Sequence, residues 1–181
     1  MLAFSDRELE GYHDYIQWLF PLPEGSMFNI AAPTIDEATF KAFRSRPELR
    51  TELRSSFERI LKFYGFSIPE EQEEGVELQI LESANPRQAF SNWVMSFNHN
   101  HLRITRIIRS LRVLGLDTEA KAFHEALVRT ASRTQRISAK SLMFWRRAAE
   151  RPLWIAPEDE DDAHEDDALQ WLVELEDSES S

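Results

Sequence analysis

The run His13-Asp14-Tyr15-Ile16-Gln17-Trp18-Leu19-Phe20-Pro21 constrains the fold of this chain more than any other stretch. At helical spacing it places Tyr, Ile, Trp, Leu and Phe around most of one helix, and proline stops it. A helix apolar on nearly every side belongs inside a domain. Residues 12–20 are therefore expected to run through the middle of the fold, as part of one helix over 6–20 that buries Leu9, Tyr12, His13, Ile16, Leu19 and Phe20. His13 and Gln17 would be polar groups carried into that interior, each needing a partner there.

The rest of the chain reads as helix, with no convincing strand. Ser5-x-x-Glu8, Thr34-x-x-Glu37 and Ser45-x-x-Glu48 have the form of capping boxes, the last with Pro47 in the first turn. They predict further helices over 35–45 and 47–64, the second burying Leu49, Leu53, Phe57, Ile60, Leu61 and Tyr64 and ending at Gly65. Residues 70–77 are acidic and solvated, with Val76, Leu78, Ile80 and Leu81 available for a short docking turn. Asn85-Pro86 opens a helix in which Phe90, Val94, Phe97, His101, Ile104, Ile108 and Leu111 hold one heptad register. That register predicts a single helix over 86–114, stopped by Gly115. Asp117 is expected to cap another long helix over 118–150, which ends before Pro152. The architecture implied is all-α: one domain of five to seven helices over 1–155, gathered around the buried N-terminal helix. An acidic tail over 156–181 follows, with a short amphipathic segment around Trp171.

Composition bounds the function. With 181 residues and 42% hydrophobic content, including twelve Phe and five Trp, the chain can build one large aromatic core. The absence of cysteine excludes disulfides, thiolate nucleophiles and cysteine zinc sites. No apolar run is long enough to span a bilayer and no signal peptide is visible, so an intracellular location, cytoplasmic or nuclear, is expected. The net charge of −11 hides a division into three. Residues 1–86 carry 8 basic and 16 acidic groups, residues 87–155 carry 13 and 4, and residues 156–181 carry no base and 12 acids. Such segregation speaks to partners and to self-docking.

Two sequence islands carry a family resemblance. The first is the run from His13 to Pro21, followed by Asn29 and Ala32-Pro33. The second is Asn98-His99-Asn100-His101-Leu102-Arg103-Ile104-Thr105-Arg106-Ile107-Ile108-Arg109-Ser110-Leu111 and then Leu114-Gly115, with Phe63-Tyr64-Gly65 and Trp93 between the islands. Over about residues 8–128 the chain resembles the conserved region of the opioid growth factor receptor family. The likeness is to a compact form, with an acidic tail where the animal receptors carry C-terminal repeats. It implies an all-helical domain and, by analogy with the animal members, binding of an enkephalin peptide. It brings no catalytic mechanism, and membrane association follows from it only by analogy.

His13, His99 and His101 are the titratable groups of most interest. On a helix His99 and His101 lie about 200° apart, so they cannot share a metal; no metal site or cofactor is expected. His13 and His101 read first as core histidines bonded to backbone or amide groups. Arg103, Arg106, Arg109 and Arg112 recur every third residue and wind around their helix. They read as structural partners of acids such as Asp14, Glu52 or Glu58, or else as a wall for a phosphate, carboxylate or peptide terminus. Arg129, Arg133, Arg136 and Lys140 fall on one stripe of the 118–150 helix. The acidic segment 158–167 is expected to cover it, leaving nucleic-acid binding to a state with the tail displaced.

The function these residues support is a non-catalytic module for a peptide or protein. The alternative is a small-molecule enzyme or carrier with a pocket between the first helix and the 86–114 helix. Candidate ligand contacts are His13, Gln17, Trp18, His99, His101, Arg103 and Arg106, and the partner is a peptide, a protein or a small anion.

Overall fold

Two short helices stand where one was predicted at the N-terminus. The computed structural model describes residues 3–12, 14–25, 31–69, 76–159 and 169–179. α1 (Asp6–Gly11) opens on a complete capping box: the Ser5 hydroxyl accepts from the Glu8 amide, and the Glu8 carboxylate accepts from the Ser5 amide at 2.8 Å. The chain leaves helix at Tyr12 and resumes as α2 (Tyr15–Leu19). Leu9, Tyr15, Ile16, Gln17 and Phe20 are buried, but Tyr12 and Trp18 are 59% and 53% exposed. A five-residue helix can lie against a domain but cannot thread it, so one of its sides faces water. His13 falls outside the described residues.

α3 (Glu37–Ser45) is capped by Asp36, whose carboxylate accepts from the Thr39 amide at 2.8 Å, and not by Thr34. One residue later α4 begins (Pro47–Tyr64). Ser45 thus belongs to the end of α3, where its hydroxyl donates to the Lys41 carbonyl, and it caps nothing. α4 has the predicted bounds, and its apolar stripe is buried apart from the half-buried Leu49. Gly65 terminates it in the left-handed region, at φ 84°. That turn feeds β1 (Phe66–Ser67), which pairs antiparallel with β2 (Leu81–Glu82), Phe66 opposite Glu82. This ribbon replaces the docking turn expected near Ile80. Two residues per strand are too few to show alternation in a sequence.

The predicted 86–114 helix is divided into α5 (Arg87–Ser91) and α6 (Asn100–Val113). The heptad register fails because Trp93 turns into the core. Its indole donates to the Tyr64 carbonyl at 3.1 Å, one of the carbonyls left over at the end of α4. Phe97, assigned to the core by the register, is 83% exposed. The predicted 118–150 helix is likewise divided, into α7 (Asp117–Thr134) and α8 (Ala139–Glu150). Gln135 takes the left-handed conformation at φ 53°, and Ser138 caps α8 by accepting from the Ser141 amide. Asp117 is the first residue of α7; Leu116 holds the cap position.

The centre of the molecule is α6, which packs against both α7 and α8 and buries eleven of its fourteen residues. The expected hub role therefore moves from the N-terminal helices to α6, and α1 and α2 lie against it. Phe57, Tyr64, Phe66, Trp93, Phe123 and Trp145 form the aromatic core around it. Beyond α8, Leu153, Ala156 and Pro157 are buried. α9 (Gln170–Glu179) follows, with Leu169 and Leu172 buried and Trp171 edge-on to Phe40 at 5.4 Å. The amphipathic segment thus docks as a helix against α3. Nine helices and one two-stranded ribbon make a single all-α domain among the described residues. The count exceeds five to seven because three of the five predicted helices are each divided, giving eight, and the tail segment adds the ninth.

Candidate functional site

The arginines of α6 point at backbone, not at the acids expected. Arg103 donates to the Leu9 and Tyr12 carbonyls at 3.1 and 3.0 Å. Arg106 Nε donates to the Phe20 carbonyl at 2.8 Å, and the Ser110 hydroxyl to the Pro21 carbonyl at 2.8 Å. Arg109 reaches the Leu153 and Ile155 carbonyls at 3.0 and 3.2 Å, and its fork also grips the Glu24 carboxylate. Arg112 donates to the Ala148 and Arg151 carbonyls at 3.0 and 2.8 Å. These carbonyls sit at, or just beyond, the C-terminal ends of α1, α2 and α8. A helix end leaves its last carbonyls without intrahelical donors and carries partial negative charge. Four arginines that wind around one helix thereby pin three others by their ends. Glu24 is the carboxylate this row grips among the described residues, and Glu58 pairs instead with Arg54.

Between α2, α6 and the loop at 155–158 lies a cleft of about 320 Å³. Ile16, Leu22, Leu102 and Pro157 give it apolar walls, and Gln17, His99, Thr105 and the arginines 103, 106 and 109 supply polar edges. Glu158 stands at the rim. Burial lowers the Arg106 pKa, with Glu24 and Glu158 acting in the opposite sense. Burial raises the carboxyl of Glu158, and Glu24 adds to this while Arg109 opposes it. His99 precedes α6 at its N-terminus, and its Nε2 lies 3.3 Å from Glu10. Beside Arg103, whose guanidinium lies 5.4 Å from its ring, the Tyr15 phenol is pushed up to about 12, chiefly by burial and partly against that cation. Its hydroxyl has no hydrogen-bond partner among the described residues.

Gln17, His99, Arg103 and Arg106 thus come together in one cleft. Trp18 does not line it. His101 lines a smaller, adjoining cleft between α6 and α8, where its Nδ1 lies 2.8 Å from the Ser141 hydroxyl and its Nε2 lies 2.8 Å from the Trp93 carbonyl. A carbonyl only accepts, so Nε2 carries the proton and Nδ1 accepts from Ser141. Burial lowers the His101 pKa and favours this neutral form. Sequence reasoning missed Ile16, Leu22, Leu102, Thr105, Pro157 and Glu158 as lining residues. Leu22 lies between two prolines and Glu158 opens an acidic run, neither of which signals a pocket.

The basic stripe is not continuous. Arg133 forms a two-pronged pair with Glu82 at 2.6 and 2.8 Å, and Arg129 donates to the Ile80 carbonyl at 2.9 Å, so both fasten β2 to α7. Arg136 lies in the break between α7 and α8, and Lys140 is on α8. Of the acidic segment expected to cover them, only Glu158 and Asp159 are described. Among the described residues no three His, Asp or Glu side chains converge as metal ligands, and no helix is long and apolar enough to cross a membrane.

Fold and site define an all-α domain in which one central helix holds the ends of its neighbours by arginine, with a ligand-sized cleft beside that row. The chain belongs to the opioid growth factor receptor family, whose conserved-region model matches residues 4–148. It is 43% identical over 110 residues to the opioid growth factor receptor of Rattus norvegicus, a match covering 60% of this chain and 18% of the relative. Against the Homo sapiens receptor it is 38% identical over 109 residues, covering 60% and 15%. Against opioid growth factor receptor-like protein 1 of Mus musculus it is 32% identical over 132 residues, covering 67% and 26%. The matched stretch thus spans about a quarter or less of these relatives. No solved structure matches the chain.

Proposed function

We propose that this domain is a non-catalytic binding module that receives a peptide in the cleft between α2 and α6. The observation that carries the reading is the cleft itself: apolar walls from Ile16, Leu22 and Leu102 beside Gln17, His99 and the arginine row. Its volume is at the low end for ligand pockets, which suits one or two side chains of a peptide. The relatives named opioid growth factor receptor support a peptide as the ligand class. An enzyme or small-molecule carrier is less well supported by the same geometry. Arg103 and the Nε of Arg106 are bonded to backbone carbonyls, and His99, the histidine of this cleft, has its Nε2 3.3 Å from Glu10.

The test is calorimetric titration of the full chain with an enkephalin pentapeptide, beside the Leu102→Asp variant. Leu102 is 56% exposed, so the substitution charges the cleft wall without opening the core. Saturable binding that weakens about tenfold or more in the variant is expected. No heat from the wild-type chain, or equal affinity in the variant, would remove the proposal.

A further inference from the structure

We propose that the smaller cleft, between α6 and α8, docks an acidic peptide segment through one bulky apolar side chain. This site adjoins the first cleft, sharing Leu102 and Thr105 with it, whereas Phe97, Lys140 and Phe144 line the smaller cleft alone. It encloses about 210 Å³, with Phe97, Leu102 and Phe144 on its apolar sides and Ser138 and Lys140 at its polar end. Phe97 and Leu102 are 83% and 56% exposed, an arrangement that leaves two large apolar side chains in water at the mouth of one cavity. Clustered exposure of that kind marks a docking surface.

The back wall asks for no polar ligand. Ser138, Ser141 and His101 form a closed relay ending on the Trp93 carbonyl, with contacts of 2.9, 2.8 and 2.8 Å. An apolar anchor is therefore the group that fits.

Charge selects what surrounds the anchor. Residues 92–105 and 126–149, which build the cleft, contain no Asp or Glu, and the second stretch carries six cations. Arg129, Arg133 and Arg147 are held by Ile80, by Glu82, and by the Pro157 and Asp159 carbonyls. Lys140 lies over the Phe144 ring at 5.9 Å and has no carboxylate partner among the described residues. Arg136 sits beside the loop that carries Phe97, its carbonyl accepting from the Ser96 hydroxyl at 3.4 Å. An anionic chain with an apolar anchor complements this surface. A nucleic-acid strand fits less well, because the break between α7 and α8 interrupts the row of cations a phosphate backbone would follow.

The experiment is fluorescence anisotropy of the full chain with a labelled Glu-Asp-Glu-Trp-Glu-Asp peptide at about 0.15 M salt. Controls are the same peptide with Ala for Trp and a labelled oligothymidylate. Saturable binding is expected, weakened about tenfold in Phe97→Ser, in Lys140→Glu and with the Ala peptide. Both substituted residues are exposed, so an unchanged melting temperature certifies the fold. The proposal is overturned if the wild-type chain does not bind the peptide, if both variants bind it equally well, or if the oligonucleotide binds more tightly. Self-association that Phe97→Ser abolishes would also overturn it, by showing the occupant to be a second copy.

Discussion

Replacing Arg109 by methionine tests whether the arginines of α6 hold the domain together. Its side chain is 2% exposed and lies against Glu24, and two of its donors serve the Leu153 and Ile155 carbonyls. Methionine fills most of the volume but supplies no donor. The variant strands the Glu24 carboxylate, whose side chain is only 21% exposed, and takes one donor from each of two carbonyls. Breaking one side of a buried ion pair costs about 3–5 kcal/mol. For a domain of this size that is a fall in melting temperature on the order of 10 °C. Arg106→Met is the internal comparison: Arg106 is half-buried and donates to the Phe20 carbonyl, so its loss should cost about 1 kcal/mol. Glu24→Gln in the Arg109→Met background removes the stranded charge, so the double variant should be about 1–2 kcal/mol more stable than the two single losses predict. The assay is urea unfolding followed by tryptophan fluorescence, with m compared across variants. If Arg109→Met costs no more than Arg106→Met, or the cycle is additive within about 0.5 kcal/mol, the helix ends are not held in this way.

Tyr15→Phe removes a buried hydroxyl without a partner among the described residues, so it should be neutral or stabilise by up to about 1 kcal/mol; a clear loss of stability refutes the assignment. Gly65→Ala should cost about 2 kcal/mol or more, because φ is 84° and a Cβ would sit 3.0 Å from the Ala89 Cβ, whereas Gly11→Ala meets nothing within 4 Å and should be close to neutral. Equal melting temperatures for these two glycine variants would contradict the account of the α4 terminus. Burial lowers the pKa of His101, the Trp93 carbonyl acting against it, so below pH 6.5 the unfolded chain binds the proton more readily than the folded one. Stability should therefore be complete above pH 6.5 and decline as pH falls towards the lowered folded pKa. Urea midpoints between about pH 7.5 and 5 should fall less steeply in His101→Gln, and an unchanged slope would refute the assignment.

The parts of the fold that were legible are those punctuated by local chemistry. Pro47 and Gly65 bracket α4 because one lacks an amide proton and the other tolerates positive φ, and both facts travel with the residue. The breaks at 92–99 and 135–138 have no such marks. Trp93 leaves the helical register to reach the Tyr64 carbonyl, twenty-nine positions earlier, and Gln135 takes a left-handed turn that its side chain does not announce. The arginine row was visible as a pattern, but its partners were not. A sequence displays its acids and conceals its backbone carbonyls, so Asp14, Glu52 and Glu58 were named where most of the acceptors are backbone and the carboxylate gripped is Glu24. Gln17, His99, Arg103 and Arg106 meet in one cleft because α2 is pinned to α6 by those same carbonyl contacts. His101 could not be placed without knowing that Ser141 lies in the first turn of a separate helix.

The two sequence islands that carry the family resemblance are opposite sides of one interface. The first island supplies the carbonyls of Tyr12, at its margin, Phe20 and Pro21; the second supplies Arg103, Arg106 and Ser110, which bond to them. A carbonyl acceptor does not depend on its own side chain, so the first island must secure something else: the break after α1 and the stop after α2 that leave these carbonyls without intrahelical donors. Asp14 and Pro21 fit that requirement, while Tyr15, Ile16 and Phe20 bury the helix that presents them. Guanidinium groups then do for the N-terminal helices what a C-terminal glycine does for α4. The consequence for binding is direct. Arg103 and Arg106 are held in the cleft wall by bonds to backbone, so a peptide there would meet fixed dipoles and an apolar surface, and affinity should depend more on Ile16, Leu22 and Leu102 than on ion pairing. Weak dependence of peptide affinity on salt would agree with this; a steep salt dependence would return the arginines to the role of an anion wall.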